Sequence, residues 1–288
     1  MLHKMKLALI PNDFSMDLEV VFRLCSEEQV HYVELAFMWN KSILDLSPEE
    51  LSKVYDLLDK YNLKVASIQT QIMKTMAPRS ILNGKGSDLM HFHHDYNIAQ
   101  IDRAINLARE FKTPYIITYS YFIWGVRRSV KRWLQLFQDY SGFLPKLQLN
   151  QVICLVECEP FTFTATSGQY LHLLQHFESP FIRANFDLAN LLDAQKNFTE
   201  TDFQRLRPYV VYFHVKDRQK KPLWGKKTAV FGEGNVPWQQ VLSWFAESGF
   251  DGFLSLEPHI SGKDRIERGR RCIRNLQKLL RDMHIPFE

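Results

Sequence analysis

The feature that most constrains this chain is an alternation. Short β-rich apolar runs are separated by amphipathic helical stretches along nearly the whole sequence. The runs fall at Lys6–Ile10, Tyr32–Phe37, Lys64–Ile72, Tyr115–Ser120, Val152–Glu157, Phe181–Asp187, Tyr209–Val215 and Gly252–Glu257. Strands that alternate with helices predict βα units and a parallel sheet. Eight such runs fit a (β/α)8 TIM barrel. A doubly wound open sheet is the competing architecture. It needs a Gly-rich turn after the first strand, and Leu7-Ala8-Leu9-Ile10-Pro11-Asn12-Asp13 has none. No linker-like segment or shift in composition marks a boundary, so residues 1–288 read as a single domain.

The helices announce themselves locally. Ser47 can cap a helix, Pro48 suits its first position and Glu50 completes a capping box. Leu51, Val54, Tyr55 and Leu58 then form its buried stripe. Further helices are expected over Met16–Gln29, over Ile98–Phe111 with Ile98, Ile101, Ile105 and Ala108 on one face, and over Lys263–Met283. Asn235 reads as the N-cap of a helix carrying Val241 and Trp244. The polar stretch Lys74–Tyr96 holds Asn83-Gly84-Lys85-Gly86 and the cluster His91, His93 and His94. It reads as a solvated loop, with a lid as the alternative.

Composition removes several classes. Net charge is only +4, from 36 basic and 32 acidic residues, whereas nucleic-acid binders carry a larger, clustered excess. The densest basic run, Arg265 to Arg271, lies on an expected helix and reads as a solvated face. No nucleic-acid partner is expected. No apolar run approaches the ~18 residues of a membrane helix, and the start lacks a signal-peptide layout, so a cytoplasmic protein with no membrane partner is expected. Cys25, Cys154, Cys158 and Cys272 read as buried thiols rather than a disulfide framework.

In a barrel, chemistry collects at the C-terminal ends of the strands. The last four expected strands each end in a potential metal ligand: Glu157, Asp187, His214 and Glu257. The spacings of 30, 27 and 43 residues each hold one βα unit. Three carboxylates converging with one imidazole need a cation between them, or strongly raised pKa values. Such a mostly oxygen site favours Mn²⁺, with Mg²⁺, Co²⁺ or Zn²⁺ as alternatives.

These residues, with their neighbours, resemble a known family. The matching pieces are Glu157 followed by Pro160, Phe186-Asp187-Leu188-Ala189-Asn190-Leu191, and His214-Val215-Lys216-Asp217. They continue in Phe231-Gly232-Glu233-Gly234-Asn235-Val236-Pro237-Trp238 and Asp251-Gly252-Phe253-Leu254-Ser255-Leu256-Glu257-Pro258. The chain resembles the xylose isomerase-like TIM-barrel superfamily, in its sugar phosphate isomerase/epimerase branch. The resemblance implies one divalent metal held by Glu157, Asp187, His214 and Glu257. It also implies that Glu157 and Glu257 form the acid–base pair on opposite faces of a bound sugar. One would remove a proton beside a ketose carbonyl, giving an enediolate, and the other would return it. Asn190 stands where many ketose 3-epimerases carry a His, and Cys158-Glu159 where Asn-His is common. Gln69, Gln71 and Tyr119 do not supply the histidine-rich three-zinc set of endonuclease IV, which disfavours DNA repair.

Strand alternation places further candidates at the mouth. Lys216 shares a face with His214, to bind substrate or to pair with Asp217 or Glu159. His259 follows Glu257 by two, and Glu34 and Gln69 should face inward. Asn190, Lys216, His259 and Glu34 are the substrate-binding candidates. Trp39 and Trp124 read as packing ahead of sugar stacking. The Gly232-Glu233-Gly234 turn reads as a plain turn ahead of a phosphate grip. The expected activity is metal-dependent isomerisation or epimerisation of a sugar or sugar phosphate. Keto-inositol dehydration and a non-catalytic sugar- or metal-binding barrel are the alternatives. The oligomeric state stays open, a homo-oligomer included.

Overall fold

The computed structural model describes residues 4–76, 98–123, 128–220, 226–260 and 262–288. The expected His91/His93/His94 cluster, the Asn83–Gly86 run and Trp124 lie outside them. Eight strands close into a barrel in the order Lys6–Leu9, Phe253–Leu256, Val210–Val215, Ile182–Asp187, Ile153–Glu157, Tyr115–Thr118, Lys64–Gln69 and Tyr32–Leu35. By internal contacts the chain divides into two compact units, Met1–Ala66 with Val211–Glu288, and Ser67–Val210.

The first unit carries β1 (Lys6–Leu9), β2 (Tyr32–Leu35), β9 (Val210–Val215) and β12 (Phe253–Leu256). β1 pairs in parallel with β12 and β2, and β12 pairs in parallel with β9. Its helices are α1 (Leu18–Glu27), α2 (Pro48–Tyr61), α8 (Trp238–Glu247) and α9 (Arg265–Asp282). The capping box expected at α2 forms in both directions between Ser47 and Glu50. Leu51, Val54 and Leu58 are buried as expected, while Tyr55 is half-buried. Two short hairpins were not legible in the sequence, β3 (Phe37–Met38) with β4 (Lys41–Ser42) and β10 (Asp217–Lys220) with β11 (Lys226–Ala229). Trp39 and Asn40 turn the first of them with positive φ, 50° and 62°.

The second unit carries the end of β5 (Lys64–Gln69) from Ser67 on, with β6 (Tyr115–Thr118), β7 (Ile153–Glu157) and β8 (Ile182–Asp187), and β5–β6, β6–β7 and β7–β8 are parallel. β5 ends at Gln69, short of the expected Ile72. The Thr70 hydroxyl donates to the Ile117 carbonyl at 2.6 Å and accepts the Ile72 N–H at 3.1 Å, so a side chain replaces the ladder there. The helices are α3 (Ile101–Glu110), α4 (Val130–Asn150), α5 (Ser167–Phe177), α6 (Leu188–Ala194) and α7 (Glu200–Leu206). All four cysteines are buried free thiols. Among the described residues, no helix is long and apolar enough to cross a membrane.

Two local expectations need correction. Asn235 does not cap α8. Pro237 holds that position without a side-chain cap, and the Asn235 N–H bonds the Arg218 carbonyl at 2.8 Å. The basic run on α9 is not simply a solvated face. Arg270 donates to Glu27 and Glu28 at 2.7 and 2.5 Å, and Arg274 donates to both Glu28 oxygens at 2.8 Å. Gln277 adds a bond to the Glu28 carbonyl at 2.8 Å. Glu28 is only 8% exposed, so α9 is fastened to the end of α1 through a buried carboxylate, with Glu27 beside it.

The Arg274 guanidinium, aided by Arg270 against the opposing effect of burial, holds the Glu28 carboxyl below its ordinary range. A depressed folded-state pKa gives stability that is present above the unfolded value, ~4.3, and lost as pH falls through the folded one. Glu28→Gln should cost about 1–2 kcal/mol at pH 7, between the values of exposed and fully buried pairs. Urea unfolding as a function of pH should show the two proteins converging below pH ~4.

Candidate metal centre

In the second unit, Glu157 and Asp187 are the last residues of adjacent parallel strands. The final ladder pair is Glu157 with Asn185, so Asp187 stands one side-chain alternation further out on the same face. β8 passes directly into α6, and Asp187 is both the strand end and the helix N-cap. Its Oδ1 accepts the Asn190 N–H at 2.8 Å. The Asn190 amide in turn donates to Glu157 Oε1 and to the Cys158 carbonyl, each at 3.3 Å. Glu157 is 2% exposed, Asp187 0% and Asn190 4%. Asn190 thus ties both carboxylates to one turn of helix.

Further residues shape this end of the unit. Gln69 donates to the Tyr119 hydroxyl at 3.2 Å, and the Lys74 ammonium sits 4.2 Å from the Tyr119 ring centroid. Glu159 pairs with Lys74 at 3.3 Å.

In the first unit, β9 brings Tyr212 and His214 to one face by alternation. Glu34 on β2 is fully buried and receives both. The Tyr212 hydroxyl donates to Oε2 at 2.7 Å, and His214 Nε2 lies 2.9 Å from Oε1. A carboxylate only accepts, so Nε2 is a nitrogen that carries a proton, and Nδ1 faces away from Glu34, 3.6 Å from Glu257 Oε2. Orientation of a ligating imidazole by a carboxylate is a recurrent feature of metal sites.

Glu257 follows β12, and its N–H bonds the Val215 carbonyl at 2.9 Å. Lys216, 2% exposed, donates to Glu257 Oε2 at 2.6 Å and lies 3.4 Å from His259 Nε2. Burial alone would raise the Glu257 carboxyl. The Lys216 ammonium, with His259 and His214, outweighs that and holds it well below the ordinary carboxylate range. His259 has a left-handed backbone, φ 48°, and its N–H and Nδ1 meet Asp13 Oδ2 at 2.7 and 3.1 Å. The Glu257 charge raises His259 above its usual pKa against the effect of burial, and Asp13 adds to it.

Asp217 spends its carboxylate on backbone N–H groups rather than on Lys216. Its carboxylate accepts the N–H groups of Arg218, Gly232, Gly234 and Val236 at 2.8–3.2 Å. The anion gripped by the Gly-rich turn is therefore the protein's own. A Cβ on Gly234 would lie 1.9 Å from Asp217 Oδ1, which is why that position has no side chain.

Each unit therefore carries two buried potential ligands near its strand ends, Glu157 and Asp187 in the second and His214 and Glu257 in the first. Hydrogen bonds occupy Glu157 Oε1, Asp187 Oδ1 and His214 Nε2. Among the described residues, Glu157 Oε2 and Asp187 Oδ2 are buried without a hydrogen bond, and His214 Nδ1 lies 3.6 Å from Glu257 Oε2. A buried set of three carboxylates and an imidazole fits a divalent cation that prefers oxygen and nitrogen ligands. The sequence did not point to Tyr212, Asp13 or Cys158. Tyr212 carried a signal, two residues before His214 on the same strand face. Asp13 lies far from His259 along the chain and gave none.

A sequence profile of the xylose isomerase-like TIM barrel matches residues 22–276. The chain belongs to that family. No curated protein is similar enough in sequence to match the chain. Among solved structures, this xylose isomerase-like barrel is similar to the probable 3-DHS dehydratase AsbF of Bacillus anthracis, at 17% identity, 95% of this chain, 99% of that one and a TM-score of 0.71. It is similar to the 3-keto-D-glucoside 4-epimerase YcjR of E. coli, at 13% identity, 96% and 100% coverage and a TM-score of 0.71. It is also similar to a xylose isomerase-like TIM barrel protein of Mycobacterium smegmatis in complex with magnesium, at 15% identity, 96% and 95% coverage and a TM-score of 0.69. At these identities the likeness is one of fold.

The Glu34 arrangement makes a prediction for this barrel. Nitrogen-15 spectra should find the His214 proton on Nε2. Glu34→Leu should lose that fixed tautomer and about 1–3 kcal/mol of stability, because the Tyr212 hydroxyl and the His214 N–H are left buried without their acceptor.

Proposed function

We propose that the protein is a divalent-metal-dependent sugar or sugar phosphate isomerase or epimerase, with Glu157, Asp187, His214 and Glu257 as the ligands. The observation that carries this reading is that each unit ends its strands in two buried potential ligands, Glu157 with Asp187 and His214 with Glu257. A divalent ion bound there, Mn²⁺ first among the candidates, would polarise a substrate carbonyl and the oxygen beside it.

The chain's own residues then divide the work. Glu157 exchanges the substrate proton at Oε2, since Asn190 occupies Oε1. A neutral amide partner leaves that carboxylate more basic than an ammonium partner would. Glu257 is in the opposite situation. Its Oε2 is bonded to Lys216, which stabilises the ionised form. Glu257 therefore handles a proton at Oε1 as a weak base, while the Lys216 ammonium faces the negative charge that develops on the substrate oxygen. His259, oriented by Asp13, lies at the edge of the same group and supplies a hydrogen bond to a substrate hydroxyl.

Dehydration of a keto-inositol or related keto substrate is the second reading. It begins with the same proton removal, and the likeness to a probable dehydratase over 95% of this chain supports keeping it. A barrel that binds sugar or metal without turnover is the third, and turnover decides against or for it.

The test is solvent deuterium incorporation by Mn²⁺-loaded protein into ketoses, ketose phosphates and keto-inositols. At least one class should exchange a C–H, and chelation should abolish the exchange. Glu157→Gln should lower it by ~10²-fold or more at saturating Mn²⁺, the usual worth of a positioned proton carrier. Lys216→Met should lower turnover far more than it raises KM. Exchange that survives full chelation, or near-native exchange by Glu157→Gln, removes the metal or the Glu157 assignment respectively.

A further inference from the structure

Cys158 has a job that its identity as a buried thiol does not suggest. It follows the last residue of β7, just beyond the final ladder pair with β8. Where the ladder stops, its sulfur takes over. Sγ accepts the Asp187 N–H at 3.3 Å and donates to the Asp187 carbonyl at 3.3 Å. Both backbone groups of one residue on the neighbouring strand thus meet a single atom. The Cys158 carbonyl extends the clamp, since it receives the Asn190 amide that also holds Glu157. The side chain is fully buried.

Fixing the peptide groups on both sides of Asp187 fixes its Cα–Cβ direction, and with it the carboxylate. Sulfur suits the task. A thiol is a weak donor and weak acceptor that works at long separation, whereas a hydroxyl bond prefers about 2.7–2.8 Å. A hydroxyl on the shorter Cβ–O bond cannot serve both groups at their present places.

We propose that Cys158 is a positioning residue for Asp187, and through it sets the affinity of the metal centre. The inference rests on the metal reading given above, and its test separates the two. Free Mn²⁺ is measured by electron paramagnetic resonance during titration of the native protein and of Cys158→Ala, Cys158→Ser, Cys154→Ala and Asp187→Asn. Each is held well below its own melting temperature. The Co²⁺-loaded visible spectrum reports ligand geometry for the same set.

Cys154 is the control. It is fully buried in the same strand, with its Sγ 3.1 Å from the Thr118 hydroxyl, so its loss is a comparable core lesion. Cys158→Ala should weaken Mn²⁺ binding by ~10-fold or more and shift the Co²⁺ bands, as loss of an outer partner does in metal sites. Cys158→Ser should fall between, because its hydroxyl keeps one of the two bonds. Cys154→Ala should bind within about twofold of native, the residual expected of a lesion with no link to the ligands. Native-like affinity in both Cys158 variants overturns the proposal, as does an equal loss in Cys154→Ala. If Cys158→Ala does not fold, Cys158→Ser decides. A native protein that takes no Mn²⁺, and titrates like Asp187→Asn, overturns the metal reading itself and this proposal with it.

Discussion

Asp187 is fully buried, and an ionised carboxylate so far from water costs several kcal/mol unless its surroundings replace the lost hydration. The same problem recurs at Glu34, Glu157 and Glu257, and the chain solves it with a different donor each time. Asp187 takes a helix N–H, Glu157 a neutral amide, Glu34 a tyrosine hydroxyl with an imidazole, and Glu257 a lysine. The choice of donor is what distinguishes the carboxylates chemically. A neutral partner stabilises the ion without adding charge, and a cation suppresses protonation as well. At Glu257 the lysine holds the carboxyl well below its ordinary range before any ligand arrives.

Much of the architecture was legible because it is written in local period. The run Leu51, Val54 and Leu58 and the Ser47–Glu50 box specify α2 without reference to anything distant. The candidate ligands were legible for a related reason. A barrel gives strand ends a fixed meaning, so an ionisable residue ending each of several successive runs carries information that no single one does. Strand lengths were less well read. Thr70 stops β5 with a side-chain bond that an apolar count cannot register.

What stayed hidden depends on partners far apart in sequence. Glu34 and His214 are 180 residues apart, and Asp13 and His259 are 246 apart. The Gly-rich turn looked like a phosphate grip because its N–H groups do converge on an anion. That the anion is Asp217 shows only when the turn is folded against the end of β9. The cap at α8 failed for the same cause. Asp217 claims the Val236 N–H, the Asn235 N–H goes to Arg218, and the helix begins later at Trp238.

The junction of β8 and α6 has no loop residue at all, Asp187 belonging to both. Loops are where a fold absorbs insertions and deletions without disturbing its frame. At this junction that freedom is gone. One added residue would rotate the carboxylate to the opposite face of the strand or unseat the first turn of the helix. Change around this carboxylate must therefore come by substitution at fixed length. Variation in chain length must enter elsewhere, at connections that hold neither Asp187 nor the Cys158 that bonds both its backbone groups.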